Sequence, residues 1–316
     1  MSMTNHMSIT AQPEYDIQFW DSVRGRKGND EALSRGRISL LGSYELPASA
    51  SGKIEKAMEK ESVFRNIASV IKAYKPGGRI YVKDCRDLAQ FISEGGENPV
   101  YDGLEDFNEN PIGSHKLAAF VKLDEDFVHD AAFSLEQYLI GRFAKNFGRA
   151  EDNGFINGTG EDEPTGILHD SKGAEVGVTT ESLTYDDVIA LYFSVDKEYR
   201  RNGIWMMSDK TALALRTLKD ADGNYLWNHS SDTILGKQVM ISEYMPDIAE
   251  GTKPVAFGDF SYYWIIDRKA VSVRTLVEKF AALGQFGYLA FKFLDGKLIR
   301  RDVLKVIQLK KPDENV

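Results

Sequence analysis

Between residues 134 and 152 apolar side chains recur at every fourth position, Leu135, Leu139, Phe143 and Phe147, with Ile140 and Ala144 alongside. A stripe of that period, with Arg142, Lys145 and Arg149 on other faces, predicts one amphipathic helix. Ser134, three residues before Gln137, reads as its capping box. A rod over this span is roughly 28 Å long, about the breadth of a small domain. The rest of the chain must therefore supply a core along its whole length.

The helix runs into "NGTGEDEPTGIL", residues 157–168, whose glycines, acids and proline invite a chemical reading. A phosphate loop needs its glycines between a strand and a following helix, with a lysine after them. Here they follow a helix, and Glu161, Asp162 and Glu163 repel phosphate. A calcium loop needs alternating acids and a distal glutamate, whereas these three are consecutive. What remains is a joint. Asn157, Gly158 and Gly160 are expected to supply positive φ at the helix end, and Pro164 and Gly166 to re-aim the chain.

Upstream, residues 14–60 mix short helical and loop signals, with Ile17, Trp20 and Val23 at helical spacing before "GRKGND" breaks the pattern. This stretch has too few apolar residues to fold alone, so it is expected to lie across its own chain or a neighbour. Residues 63–123 read as extended, since "RIYVKDC" and "KLAAFVKL" alternate around a polar, glycine-rich tract. That tract holds Gly95, Gly96, Asn98, Pro99 and Tyr101. A two-stranded excursion is marginal in water and is expected to rest on a partner subunit, the alternative being a disordered surface loop.

After residue 180 the pattern turns α/β. Thr184 is placed to cap a helix carrying Val188, Ile189, Leu191, Tyr192 and Val195; "GIWMMS", "QVMISE", "PVAFGDF" and "YYWIIDR" read as strands, and "DKTALALRTLKD" as a further helix. The closing stretch reads as two antiparallel strands turning at Asp295-Gly296.

Chemistry is hard to find. His6, His115, His129, His169 and His229 show no metal-ligand spacing, and Ser43 and Ser208 sit in no nucleophile elbow. Cys85 has no second cysteine to pair with, which removes any internal disulfide and Cys-rich zinc site. Pairs such as Asp124 with Asp126, or Asp186 with Asp187, are ordinary in a chain with 48 acidic and 39 basic residues. That net charge of -9 argues against binding the outside of DNA. No signal peptide and no apolar run of about 18 residues is present, so neither secretion nor a membrane partner is expected. No catalytic residue, cofactor or metal site is expected.

The block from "KLAAFVKL" through "GRAEDNGFINGTGEDEPTGIL" resembles the central part of the major capsid proteins of tailed bacteriophages, the Hong Kong 97 type. Further matches follow in order: Trp205 with Met206 and Met207, "LKDADGNYLW", "LGKQV" with Met245-Pro246, and "FGDFSYYWIIDR". The arm-like "FWDSVRGRKGNDEALSRG" and "ELPASASGKIEKAMEKESVFRNIASV" extend the likeness to residues 14–309.

The resemblance implies an α+β, Hong Kong 97-like fold in five parts. These are an N-terminal arm (1–62), an extended E-loop (63–117) with tip contacts at Gly95, Gly96, Asn98, Pro99 and Tyr101, and a P-domain built on the spine helix (118–183). An A-domain (184–270) and strands returning to the P-domain (271–316) complete it. It implies a structural subunit that assembles with itself into pentamers and hexamers in the bacterial host cytoplasm. Portal and scaffolding proteins act in trans, and double-stranded DNA is held by enclosure. The alternatives are an encapsulin-like nanocompartment shell and a soluble α/β enzyme. Some members weld subunits by a Lys–Asn isopeptide bond. Residues 94–113 contain no lysine and residues 273–283 no asparagine, so no crosslink is expected.

Overall fold

The computed structural model describes residues 8–26, 31–38, 43–73, 79–83, 107–130, 132–219, 222–227 and 232–310. Its helices are α1 (Pro13–Val23), α2 (Glu31–Arg35), α3 (Ala48–Glu61), α4 (Phe64–Ile67), α5 (Glu125–His129), α6 (Leu135–Asn157), α7 (Tyr185–Ser194), α8 (Lys197–Arg200) and α9 (Asp209–Arg216). The first strands are β1 (Arg37–Ile38), β2 (Ser43–Glu45), β3 (Ser69–Lys72), β4 (Arg79–Lys83), β5 (Phe107–Pro111), β6 (His115–Asp124) and β7 (Glu175–Thr180). Then come β8 (Ile204–Met207), β9 (Thr233–Ile234), β10 (Lys237–Ile241), β11 (Val255–Gly258), β12 (Tyr263–Leu276), β13 (Gln285–Leu298) and β14 (Leu304–Leu309).

Two sheets organise the molecule. The first runs β1-β2-β12-β13-β6, with β3 added parallel to β12. The second runs β7-β14-β11-β8-β10-β9. A separate antiparallel ribbon pairs β4 with β5. The stretch read as continuously extended from residue 63 is therefore interrupted: α4 comes first, and β3 belongs to the first sheet before the ribbon begins.

Helix α6 lies on the first sheet. Leu135, Leu139, Phe143 and Phe147 are all buried, facing Ala119, Val121, Tyr288 and Ala290 of β6 and β13. At about 2 kcal/mol for each large side chain, this stripe is the main force holding rod to sheet. The N-terminal segment closes the same core. Tyr15, Phe19 and Trp20 of α1 and Ala50, Ile54 and Met58 of α3 are buried in it, so the segment lies across its own chain.

Three local expectations fail. Ser134 is the N-cap residue of α6 but makes no side-chain capping bond, whereas Thr184 forms a full capping box with Asp187. Helix α6 continues five residues past 152, through Asn153-Gly154, because Phe155 is pinned between Phe64 and Tyr263 at centroid distances of 5.8 and 5.4 Å. Tertiary packing outweighs the local glycine there.

The third concerns Asp295-Gly296, which is no turn: β13 passes straight through it. The Asp295 carboxylate is instead buried, accepting from the N–H of Gly113 (2.6 Å) and of Gly296 (2.8 Å). The chain reverses only after residue 298, and β14 joins the second sheet between β7 and β11 rather than returning beside β13. The boundary expected at residue 270 falls inside β12.

Candidate assembly site

The joint after α6 is built by close backbone approach. Gly158 ends the helix with φ -60°, so neither it nor helical Asn157 uses positive φ; only Gly160 does, at 77°. Gly158 is required for another reason: a Cβ there would lie 2.1 Å from the Pro164 carbonyl oxygen. The loop folds back on the helix end. Gly166 N–H donates to Gly158 C=O, Ile167 N–H to Phe155 C=O, and Leu168 N–H to Ile156 C=O. It is stitched to β13 by Thr165 N–H on the Gly296 carbonyl, and the buried Tyr263 hydroxyl donates to the Thr165 carbonyl at 2.8 Å. Burial, with Asp295 nearby, holds that phenol well above its usual range. Glu161, Asp162 and Glu163 are exposed, and Glu163 turns back to accept from the Thr159 N–H at 3.2 Å.

Two turns upstream, four buried charges tie the molecule together. Glu151 continues the series of fours from Leu135, so it enters the core. It accepts from Arg65 Nε at 2.6 Å and from Lys292 Nζ at 2.7 Å. Asp267 of β12 takes the Arg65 guanidinium at 3.0 and 3.3 Å and Lys292 at 3.1 Å. Burial disfavours the Asp267 carboxylate, but Lys292 and Arg65 outweigh it and hold the carboxyl below its ordinary value. The neighbouring Asp152 is raised by burial despite accepting from the Ser62 hydroxyl and the Val63 and Phe64 amides. These residues join α4 and the link before it, helix α6 and strands β12 and β13.

The spacing singled out Leu135 to Phe147 and the loop; the structure puts the former along the N-terminal half of the rod, in the core over the first sheet, and the loop at its C-terminal end, beside the second core. It missed Arg65, Glu151, Asp267 and Lys292. The available signal was Glu151 itself, a carboxylate in phase with an apolar stripe. Gly95, Gly96, Asn98, Pro99 and Tyr101 lie outside the described residues, as do Cys85, His6 and His229. Of the remaining histidines, His169 Nδ1 accepts from the Ser171 and Lys172 amides, His129 packs edge-on to Phe286, and His115 lies 3.5 Å from Asp295.

The surface around this frame is unusually apolar at particular points. Ile17, Phe193, Leu213 and Leu283 are 64%, 64%, 63% and 67% exposed. Tyr225, Leu226, Leu235 and Ile241 add to this near α9 and the β9–β10 edge. Among the described residues no group of His, Cys, Asp and Glu is placed to hold a metal, and no helix is long and apolar enough to cross a membrane. Two clefts of about 210 and 440 Å³ share His115 at the foot of the ribbon and are open.

A rod on one sheet, with a second sheet and a separate ribbon, resembles the folds of phage capsid proteins. Residues 42–309 match the model of the phage capsid family, and the chain belongs to that family. It is 30% identical to the capsid of an empty GTA particle, with a TM-score of 0.65, covering 79% of this chain and 90% of that one. A probable major capsid protein, gp17 of Mycobacterium phage L5, is 24% identical over 73% of this chain and 74% of its own length. The Mycobacterium phage Bobi structure shares the fold at a TM-score of 0.57 and 14% identity, covering 79% of this chain and 91% of that one.

Proposed function

We propose that this chain is the major capsid protein of a tailed phage or prophage, a structural subunit that repeats one set of contacts to build a closed shell. The observation that carries the reading is likeness to the GTA particle capsid along most of both chains. Exposed apolar side chains such as Ile17, Phe193, Leu213 and Leu283 support it, because a shell subunit must present surface for its copies to bury. In finer terms, copies close into rings of five and six through heterologous contacts. Residues 1–62 act as the arm, residues 63–117 as the loop that reaches a neighbour, and Gly158, Gly160, Pro164 and Gly166 as the joint between the spine and residues 184–270. Portal and scaffolding proteins act in trans, assembly takes place in the host cytoplasm, and double-stranded DNA is enclosed without specific binding. The excess of acids keeps the wall from adsorbing the genome.

Electron microscopy of the purified protein tests this. Closed shells with fivefold and sixfold rings are expected. A small discrete oligomer, or shells filled with protein cargo in place of DNA, refutes the reading.

A further inference from the structure

The solvent side of α6 carries one sign of charge. At about 100° per residue, Tyr138, Arg142, Lys145 and Arg149 fall within about 60° of arc. All four are exposed, and among the described residues none of the three cations has a carboxylate or a ring as partner. Residues 137–150 contain no acid. Of the carboxylates on the helix, Glu136 is paired with Lys53 at 2.6 Å, while Glu151 and Asp152 are buried. From neighbouring elements, Glu61 of α3 crosses at Gly148 and Glu243 is bonded to Tyr244; neither pairs with the stripe. Like charges one turn apart weaken a helix. Arg142 with Lys145, and Lys145 with Arg149, therefore oppose folding, and no acid on the solvent side of α6 offsets them.

We infer, on the basis of the shell reading, that this stripe is a contact rail for the phosphate backbone of the enclosed duplex. The three cations climb the rod in steps of about 4.5 and 6 Å. Their flexible stems can meet charges spaced about 3.4 Å apart along each strand of a duplex. The groups beside them are of the kind that hydrogen-bond to phosphate: Asn146, Asn153 and Tyr244 line, with Arg149, an open cleft of about 430 Å³ next to β6. Tyr138 stands at the other end of the row, its ring against Phe133 at 5.5 Å.

An acidic protein surface is the rival occupant. Protein contacts are anchored by apolar side chains that become buried, and from Gly141 to Asn153 the exposed positions offer none larger than Ala150. The lysines on the free face of the first sheet differ in kind, since Lys116 and Lys122 already lie over the rings of Phe291 and Phe280. Three cations against a net charge of -9 give a weak, salt-labile hold, so the genome touches the wall without being trapped on it. The α6 side of the body is then the inner wall of the shell.

To test this, DNA-filled particles are irradiated with ultraviolet light, digested and searched by mass spectrometry for peptides carrying a nucleotide. Adducts are expected on residues 138–149. Adducts confined to other peptides, such as those holding Lys122 or Lys279, overturn the assignment, as does their absence. In parallel, dissociated subunits are titrated against a short fluorescent duplex at about 20 mM salt, where screening is slight. Arg142→Gln with Lys145→Gln and Arg149→Gln is expected to weaken binding at least about tenfold and to flatten the slope of log K on log salt by about 2–3. Lys122→Gln with Lys279→Gln is expected to change binding less than about twofold, because those lysines lie outside the rail. A parent that does not bind, or equal binding by parent and triple variant, overturns the proposal. Circular dichroism is expected to show the triple variant melting no lower than the parent. Loss of shell assembly with duplex binding unchanged assigns the stripe to an acidic protein surface and also overturns it. Failure of the parent chain to form shells sinks the shell reading instead, and the duplex titration still decides the stripe.

Discussion

Glu151→Gln isolates the charge of one buried carboxylate while keeping its shape. Its side chain has no exposure, and the Arg65 and Lys292 side chains that it neutralises are 7% and 6% exposed. Removing the charge leaves two buried cations facing Asp267 alone. Breaking a buried ion pair in this way costs about 3–5 kcal/mol. For a chain of this length the unfolding entropy is roughly 0.66 kcal/mol per degree, so the Tm of the dissociated subunit falls by about 5–8 °C. Scanning calorimetry or circular dichroism measures it. Adding Lys292→Met restores one cation to one anion and is expected to recover about half of the loss, as residues in one network are not additive. A drop below about 2 °C for the single variant, or no recovery in the double one, refutes the view that charge balance holds this junction.

The acid dependence has a sign that follows from Asp267. Its carboxyl is depressed in the folded state, so its contribution is present above the unfolded value of about 3.9 and is lost as pH falls below that. Asp152, raised by burial, works the other way, favouring the folded state more at low pH. Acid titration followed by fluorescence is expected to show a shallower loss of stability below about pH 4 in Asp267→Asn than in the parent. Gly158→Ala drives a Cβ against the Pro164 carbonyl oxygen and is expected to cost more than about 3 kcal/mol by urea titration, because backbone on both sides is fixed. Replacing residues 86–104 by a short Gly-Ser linker is expected to leave a folded subunit, by its thermal transition, that assembles poorly by sedimentation. Mature particles boiled in detergent are expected to run as single chains on a gel, and a ladder of higher species reveals a crosslink.

Sequence alone determined the parts governed by local periodicity. A stripe at every fourth residue fixes the α6 rod and its buried side, the Thr184 and Asp187 pair starts α7, and the alternating or fully apolar runs give β6, β8, β10, β11 and β12. The family likeness was legible too, because its fragments fall in order along the chain. What the tertiary structure decided are matters of long-range partnership. Whether Asp295-Gly296 turns or extends depends on Gly113, some 182 residues away, which takes the carboxylate that a turn would use. Whether α6 stops at Gly154 depends on Phe64 and Tyr263 receiving Phe155. The ion quartet depends on four segments meeting at a point where water is excluded, and only there does the sign of each charge constrain the others. A period can be read one residue at a time; a contact between distant strands carries no local mark, since its energy exists only after both have been brought together.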